Sequence, residues 1–248
     1  MSHPLLAQLA SDAPAARVAA CRAIAADPAG ALLVEPLVAA LGDPERAVAR
    51  AAVEALVALA RASDGVVPLL RGALRGPSLR DPAAPASAPA ARSRRVHAAL
   101  ALARLEPPEP GLLPALVEGL GARDGDVRWS AARVLVDMGR LHPPIVGVLV
   151  GLVRGADDAA ARRMAAFALR ELAPDHPATA RALLEATGDD DPHVRRAAVT
   201  ALAGLLDPPP EVGERLEALR ADPDPTLARL AALAYERLEA TAQREAER

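Results

Sequence analysis

The chain has 248 residues, of which 52% are apolar but only 1% aromatic, so a core must be built from Ala, Leu and Val. The 24 prolines argue against long unbroken helices and central strands, and the abundance of Ala and Leu favours many short helices separated by turns. The formal net charge of −3 argues against a general nucleic-acid binder. All 29 basic residues are Arg, which fits a G+C-rich codon bias better than phosphate recognition.

The start of the chain and its cysteine usage predict a cytoplasmic location. MSHPLLAQLASDAP has no basic region followed by a long apolar run, so we expect neither a signal peptide nor a membrane span. Cys21 is the single cysteine, which excludes an internal disulfide and a cysteine metal cluster.

One phrase recurs along the chain and predicts a repeat array. In DDDPHVRRAAVTALAGL (189–205), small or apolar residues follow Val194 at three, four, five, seven and eight positions. Seven segments fit this template, and their last residues lie about 33 residues apart, except for one step that is about 13 residues longer. These last residues are Ile24, Leu56, Leu102, Leu135, Leu169, Leu202 and Tyr235.

An apolar segment precedes each template from the second onward, as in ALLVEPLVAAL (31–41) and GLLPALVEGL (111–120). Each unit is therefore predicted to be helix A, a Gly/Asp/Pro turn and helix B, which bury their apolar faces by stacking on a neighbouring unit. The predicted units of this single domain, 1–248, are 1–26, 29–61, 64–106, 108–140, 143–173, 176–206 and 209–240, followed by a charged tail at 241–248.

The pattern resembles the HEAT repeat family, and most closely its short HEAT-like form named after the phycocyanobilin lyases. The resemblance is carried by GDPERAVARAAVEAL (42–56), DGDVRWSAARVL (124–135), DDDPHVRRAAVTAL (189–202) and DPDPTLARLAALAY (222–235). It covers nearly the whole chain. The expected fold is all-α, a right-handed α-solenoid of about seven two-helix repeats, in which the family places helix B on the concave face.

Acids cluster before each helix B and arginines follow them. An Asp there can cap backbone N–H groups at the positive end of the helix dipole. We expect arginines such as Arg128, Arg162 and Arg195 to pair with an acid of the adjacent repeat. Because the pattern recurs, it favours a structural role over a catalytic carboxylate pair.

The long step contains an insertion at 76–95, GPSLRDPAAPASAPAARSRR, in the third unit. Its Pro, Ala and Ser content predicts a loop without a packed core. The loop ends in Arg92, Arg94 and Arg95. Two interpretations remain: a tolerated loop expansion, or a basic-ended loop that contacts a partner.

The candidate binding residues lie at the second and sixth positions after each template start, which are predicted to face the groove of the array. Two of the three aromatic residues fall on this stripe in adjacent repeats, surrounded by arginines, and Trp and Arg are frequent interface hot spots. The predicted partner-binding residues are Trp129, Arg133, Arg163, Phe167, Arg170 and Arg196. The alternative is that the two rings fill the seam between adjacent B helices. Tyr235 falls on a core position.

The sequence offers no catalytic, cofactor or metal site. None of the five histidines is followed by Glu, so the His-Glu iron sites of the HEAT-like deoxyhypusine hydroxylases are missing, as are HExxH, GxSxG, P-loop and GxGxxG motifs. His97 and Cys21 fall on core-facing positions, where a hydrogen-bonded His and an inert thiol are expected.

The predicted function is a non-catalytic scaffold or adaptor that binds another protein, with an acidic segment, through the helix-B face. Neither the oligomeric state nor the partner's identity follows from the sequence. One alternative is a nucleic-acid-binding or DNA glycosylase-type protein, suggested faintly by Trp129 with Asp137 and nearby arginines. The other is a phycobilin lyase-like chaperone.

Overall fold

The structure is a computed structural model that describes residues 3–27, 29–75, 89–206 and 208–246. Within these ranges the chain forms fourteen α-helices, two short 3-10 helices and no strand. Odd-numbered helices are the predicted A helices and even-numbered helices the B helices. The bounds are α1 Pro4–Leu9, α2 Pro14–Ala26, α3 Val34–Ala40, α4 Arg46–Leu59, α5 Val66–Arg75, α6 Pro89–Leu105, α7 Leu113–Leu120, α8 Gly125–Leu141, α9 Ile145–Gly155, α10 Ala159–Leu172, α11 Pro177–Ala186, α12 Pro192–Leu202, α13 Pro210–Leu219 and α14 Pro225–Ala246.

Proline and aspartate mark where many of the helices begin. Proline opens α1, α2, α11, α12 and α13, where its missing N–H costs no helical hydrogen bond. Asp158 accepts a hydrogen bond from the N–H of Ala161 at the start of α10. Asp191 and Asp224 cap α12 and α14 in the same way. The predicted capping role of the acids is therefore confirmed at these three helices.

The chain divides into two compact units: residues Met1–Gly119 with Arg123–Val134, and Leu120–Ala122 with Leu135–Arg248. In the first unit the B helices α2, α4 and α6 pack side by side, and the A helices α3 and α5 form a second layer. In the second unit α10, α12 and α14 form one layer and α9, α11 and α13 the other. Each unit thus has the two-layer packing of an all-α solenoid.

The repeat template identifies the core correctly. Its closing residues Ile24, Leu56, Leu135, Leu169 and Leu202 are each 0% exposed. Alanines surround them at the template's small positions, which allows neighbouring helices to approach closely.

Tyr235 is an exception to the predicted core. The side chain is only half-buried, and the Arg220 guanidinium lies 5.7 Å from the ring centroid. The expectation that Tyr235 is a core residue is therefore wrong. The charged tail is helical as far as Ala246.

Arg17 and Arg162 each pair with an acid of the next repeat and also donate to carbonyls of their own A–B turn, and we call them the clamp arginines. The Arg17 side chain lies 2.8 Å from Asp43 and donates to the carbonyl of Ser11. Arg162 lies 2.7 Å from Asp189 and also donates to two carbonyls of its own A–B turn. The predicted pairing with an acid of the adjacent repeat is thus confirmed for Arg162.

The same pairing is displaced by one residue in α12. Arg195 donates to the carbonyls of Asp189 and Asp190 in its own turn. The next residue, Arg196, makes the ion pair to the following repeat, 2.8 Å from Asp224.

The predicted loop at 76–95 is wrong over its last seven residues, because α6 begins at Pro89. Proline is favoured in the first turn of a helix and the following Ala and Arg are good helix formers. Arg94 is buried at 7% exposed, and Arg95 pairs with Glu118 at 2.9 Å. Residues 76–88, the rest of the predicted loop, lie outside the described residues.

Candidate interaction surface

Trp129 and Arg133 lie one helical turn apart on α8 and therefore share a face. The Trp129 side chain is 57% exposed, whereas Trp side chains are mostly buried in folded proteins. Arg133 is exposed as well. We call these two residues the Trp129 patch, and they belong to the first unit.

The other four predicted residues belong to the second unit and form the Phe167 patch. Arg163, Phe167 and Arg170 are half-buried on α10, and their spacings of four and three residues place them on one face. Arg196 is half-buried on α12, which packs against α10. Its charge is largely matched by Asp224, so Arg196 has less charge to offer a partner than Arg163 or Arg170.

The first unit has an open groove with a volume of about 300 Å³, whose extent the predicted groove-facing stripe did not define. Its floor comes from three B helices: Val53 on α4, Leu100 on α6, and Val127 and Val134 on α8. This volume is near the lower end for ligand sites. The template had placed four of the lining residues on the groove-facing stripe, namely Arg50, Glu54, Leu100 and Arg133.

Two exposed ion pairs border the groove. Arg50 on α4 contacts Asp126 at 2.7 Å, and Arg104 on α6 contacts Glu54 at 2.6 Å. The hydrogen bonds from Arg104 hold the pKa of Glu54 below its ordinary value. Because all four side chains are 46–67% exposed, each pair contributes only about 0–1 kcal/mol to stability.

Arg133 is the third cation of the groove. Among the described residues, no carboxylate forms an ion pair with Arg133. The two pairs and Arg133 together leave the groove with one net positive charge.

His97 lines the groove from α6 and is only 8% exposed. Its Nδ1 lies 2.8 Å from the carbonyl oxygen of Ser93, and since a carbonyl only accepts, Nδ1 carries the proton of the neutral ring. Burial lowers the pKa of His97. The predicted buried, hydrogen-bonded histidine is confirmed, but it also has a place in the groove.

The described part of the chain contains no group of three or more His, Cys, Asp or Glu side chains placed to hold a metal ion. Asp137, the acid of the glycosylase alternative, pairs with Arg140 at 2.8 Å. None of the helices described is both long and apolar enough to cross a membrane.

Residues 146–236 match the family model described as HEAT repeats, so the predicted resemblance to that family is confirmed. Among solved structures, the chain is similar to YibA of Escherichia coli, with 16% identity, a TM-score of 0.51, and coverage of 95% of this chain and 91% of that one. At this identity the likeness shows the fold alone, an all-α solenoid.

Two further solved structures have lower TM-scores. Human deoxyhypusine hydroxylase in complex with glycerol is 20% identical, with a TM-score of 0.40 and coverage of 95% of this chain and 83% of that one. A designed armadillo repeat protein in complex with the peptide (KR)4 is 17% identical, with a TM-score of 0.40 and coverage of 94% and 97%. No curated protein matches the chain.

Proposed function

We propose that this protein, an all-α solenoid with HEAT repeats over residues 146–236, is a non-catalytic scaffold or adaptor in the cytoplasm. Its partner is another protein, bound through the B-helix faces by the Trp129 and Phe167 patches. Two-helix repeat arrays present long surfaces suited to this role.

The observation that carries the proposal is the exposure of Trp129. The chain has one Trp, one Tyr and one Phe, and it leaves the Trp side chain 57% exposed beside Arg133. Trp and Arg are both among the residue types enriched at interface hot spots.

An acidic segment of the partner is favoured by the charges near the two rings. Among the described residues, no carboxylate is ion-paired with Arg133, Arg163 or Arg170. A carboxylate of the partner can therefore bind to these guanidinium groups without breaking an ion pair within the protein.

The experiment is an affinity purification from the source organism with wild type, Trp129→Ala, Phe167→Ala and Leu141→Ala, followed by quantitative mass spectrometry. Leu141 is the matched control because it is also 57% exposed on α8 but lies off the predicted stripe. We expect one protein to be recovered by wild type and Leu141→Ala and reduced at least about tenfold by each ring variant.

The melting temperature of each variant separates binding from stability. The ring variants should melt within a few degrees of wild type. Equal recovery of every protein by all four baits would overturn the proposal. A large loss of melting temperature in the ring variants would instead assign the rings to the seam between helices.

A further inference from the structure

The groove of the first unit crosses three consecutive B helices, and its walls and floor point to one kind of occupant. Its apolar floor runs from Val53 on α4, over Leu100 on α6, to Val127 on α8. Neighbouring helix axes are about 8–10 Å apart, so the floor extends for about 16–20 Å across α4, α6 and α8. An extended chain covers this distance with about five or six residues at about 3.3 Å each.

The charged side chains that line the groove favour an occupant with a negative charge. The carboxylates of Glu54 and Asp126 already contact Arg104 and Arg50. Arg133 has no carboxylate in contact among the described residues, and it lines the same groove. A carboxylate entering the groove would thus gain a charge-assisted hydrogen bond without displacing a protein group.

His97 favours an occupant that carries a hydrogen-bond donor next to that carboxylate. Since Nδ1–H of His97 is taken by the Ser93 carbonyl, the lone pair of Nε2 is the remaining hydrogen-bonding site of the neutral ring. The two contacts of the His97 ring with Ser93, to its hydroxyl and to its carbonyl, both involve Nδ1. The backbone N–H groups of an extended peptide are donors of the required kind.

We propose that this groove binds an extended, acidic peptide segment of the partner, with an Asp or Glu on Arg133 and an aliphatic side chain over Leu100. This inference rests on the proposed scaffold function and names the partner chemistry for the first unit. The carboxylate sets the position of the segment along α8, and the apolar floor sets which neighbouring side chain is accepted.

The test starts from a phage-displayed library of random peptides selected on the full-length protein. Sequences with Asp or Glu within two residues of Leu, Ile or Val should be enriched. One enriched peptide is then synthesised with a fluorescent label, and its Kd is measured by fluorescence polarisation. Enrichment of basic peptides, or no enrichment of acidic ones, would overturn the inference.

Two groove variants and one matched control locate the site. Ser130 is exposed and lines the groove, so Ser130→Glu places a carboxylate near Arg133, three residues away on α8, and should weaken binding about tenfold or more. Arg133→Gln should weaken peptide binding to a similar degree. In this variant, replacing the Asp or Glu of the peptide by Asn or Gln should not weaken binding further. Leu141→Glu adds the same charge to the same helix outside the groove and should leave Kd unchanged.

A gain-of-affinity variant makes the test independent of folding defects. Asp126→Asn releases Arg50 from its ion pair at 2.7 Å and should tighten binding of the acidic peptide several-fold. An unchanged or weaker affinity of Asp126→Asn, or equal binding by Ser130→Glu and wild type, would overturn the inference. If Phe167→Ala abolishes peptide binding while Ser130→Glu leaves Kd unchanged, the groove inference is overturned but the proposed scaffold function is not.

Discussion

Arg94 occupies a position where the other B helices bury apolar side chains. Its equivalents are Val48, Val127, Val194 and Leu227, all at most 6% exposed. Arg94 is 7% exposed, its Nε is buried without a hydrogen-bond partner among the described residues, and burial and the neighbouring Arg95 lower its pKa. A buried cation without a counter-charge destabilises the fold.

Arg94→Leu should therefore stabilise the protein, by about 1–2 kcal/mol given that the long Arg stem already contributes packing. Urea unfolding followed by circular dichroism measures the change. Arg92→Leu, two residues earlier and exposed, is the control and should change stability by less than about 0.5 kcal/mol. A loss of stability in Arg94→Leu would show that the cation is needed where it lies.

Cys21 illustrates how burial removes chemistry from a nucleophile. The residue is 0% exposed, and burial, followed by the charge of Asp43, raises the pKa of the thiol to about 11. Because only the thiolate reacts rapidly with disulfide reagents, native protein at pH 8 should show almost no reaction with dithionitrobenzoate.

In urea, one thiol per chain should react with that reagent at the rate of a free cysteine. The native rate then reports the population of opened molecules. A native rate close to that of a small-molecule thiol would contradict the buried position of Cys21.

Between elements, the clamp arginines join one repeat to the next. The side chains of Arg162 and Asp189 are only 17% and 11% exposed, whereas those of Arg50 and Asp126 are 58% and 67% exposed. Arg162→Ala removes the ion pair and two bonds to turn carbonyls, and should lower the free energy of unfolding by about 2–3 kcal/mol. Arg50→Ala should cost less than about 1 kcal/mol.

The pH dependence gives a second measurement of the same pair. The hydrogen bond from Arg162 holds the pKa of Asp189 below its ordinary value, so the unfolded state takes up the proton first. The contribution of this pair is present above about pH 4 and is lost as pH falls through the folded pKa. Arg162→Ala should flatten this acid limb of the stability curve, and an unchanged limb would exclude the pair as its source.

An element could be predicted where its own residues, close together in the sequence, carry the pattern that forms it. The template found helices such as α10 and α12 because buried alanines and leucines recur with helical spacing in the sequence itself. The start of α6 was missed because Pro, Ala and Ser describe both a loop and a proline-started alanine helix. Arg94 lies in this segment, and because the segment is a helix and not a loop, Arg94 is buried.

The groove was not predictable for a different reason. Its lining joins residues as distant as Arg50 and Asp126, which are 76 positions apart. The template correctly identified the outward positions of α4 and α8, since these depend on helical period alone, but its outward positions on α6, Val96 and Leu100, are buried. The depth of the groove depends on packing between repeats. So do the ion pairs of Arg50 and Arg104, which occupy Asp126 and Glu54, the groove's carboxylates among the described residues.

At the scale of the whole molecule, acidic residues outnumber basic ones, with 32 Asp and Glu against 29 Arg. In the described part of the chain, nine of the arginines form ion pairs with carboxylates, and the net charge is −3. Phosphate binding depends on cations that are free to replace counterions. The protein should therefore show no measurable binding to a short random duplex DNA at about 0.15 M salt.

A double variant tests whether this internal pairing is the cause. Glu54→Gln with Asp126→Asn releases Arg104 and Arg50 beside Arg133 in one groove and makes the net charge more positive. Electrophoretic mobility shifts at low salt should then reveal weak binding that disappears as salt is raised. Micromolar, steeply salt-dependent binding of DNA by the wild-type protein would favour the nucleic-acid alternative. It would mean that the ion pairs within the protein do not keep its arginines from binding phosphate.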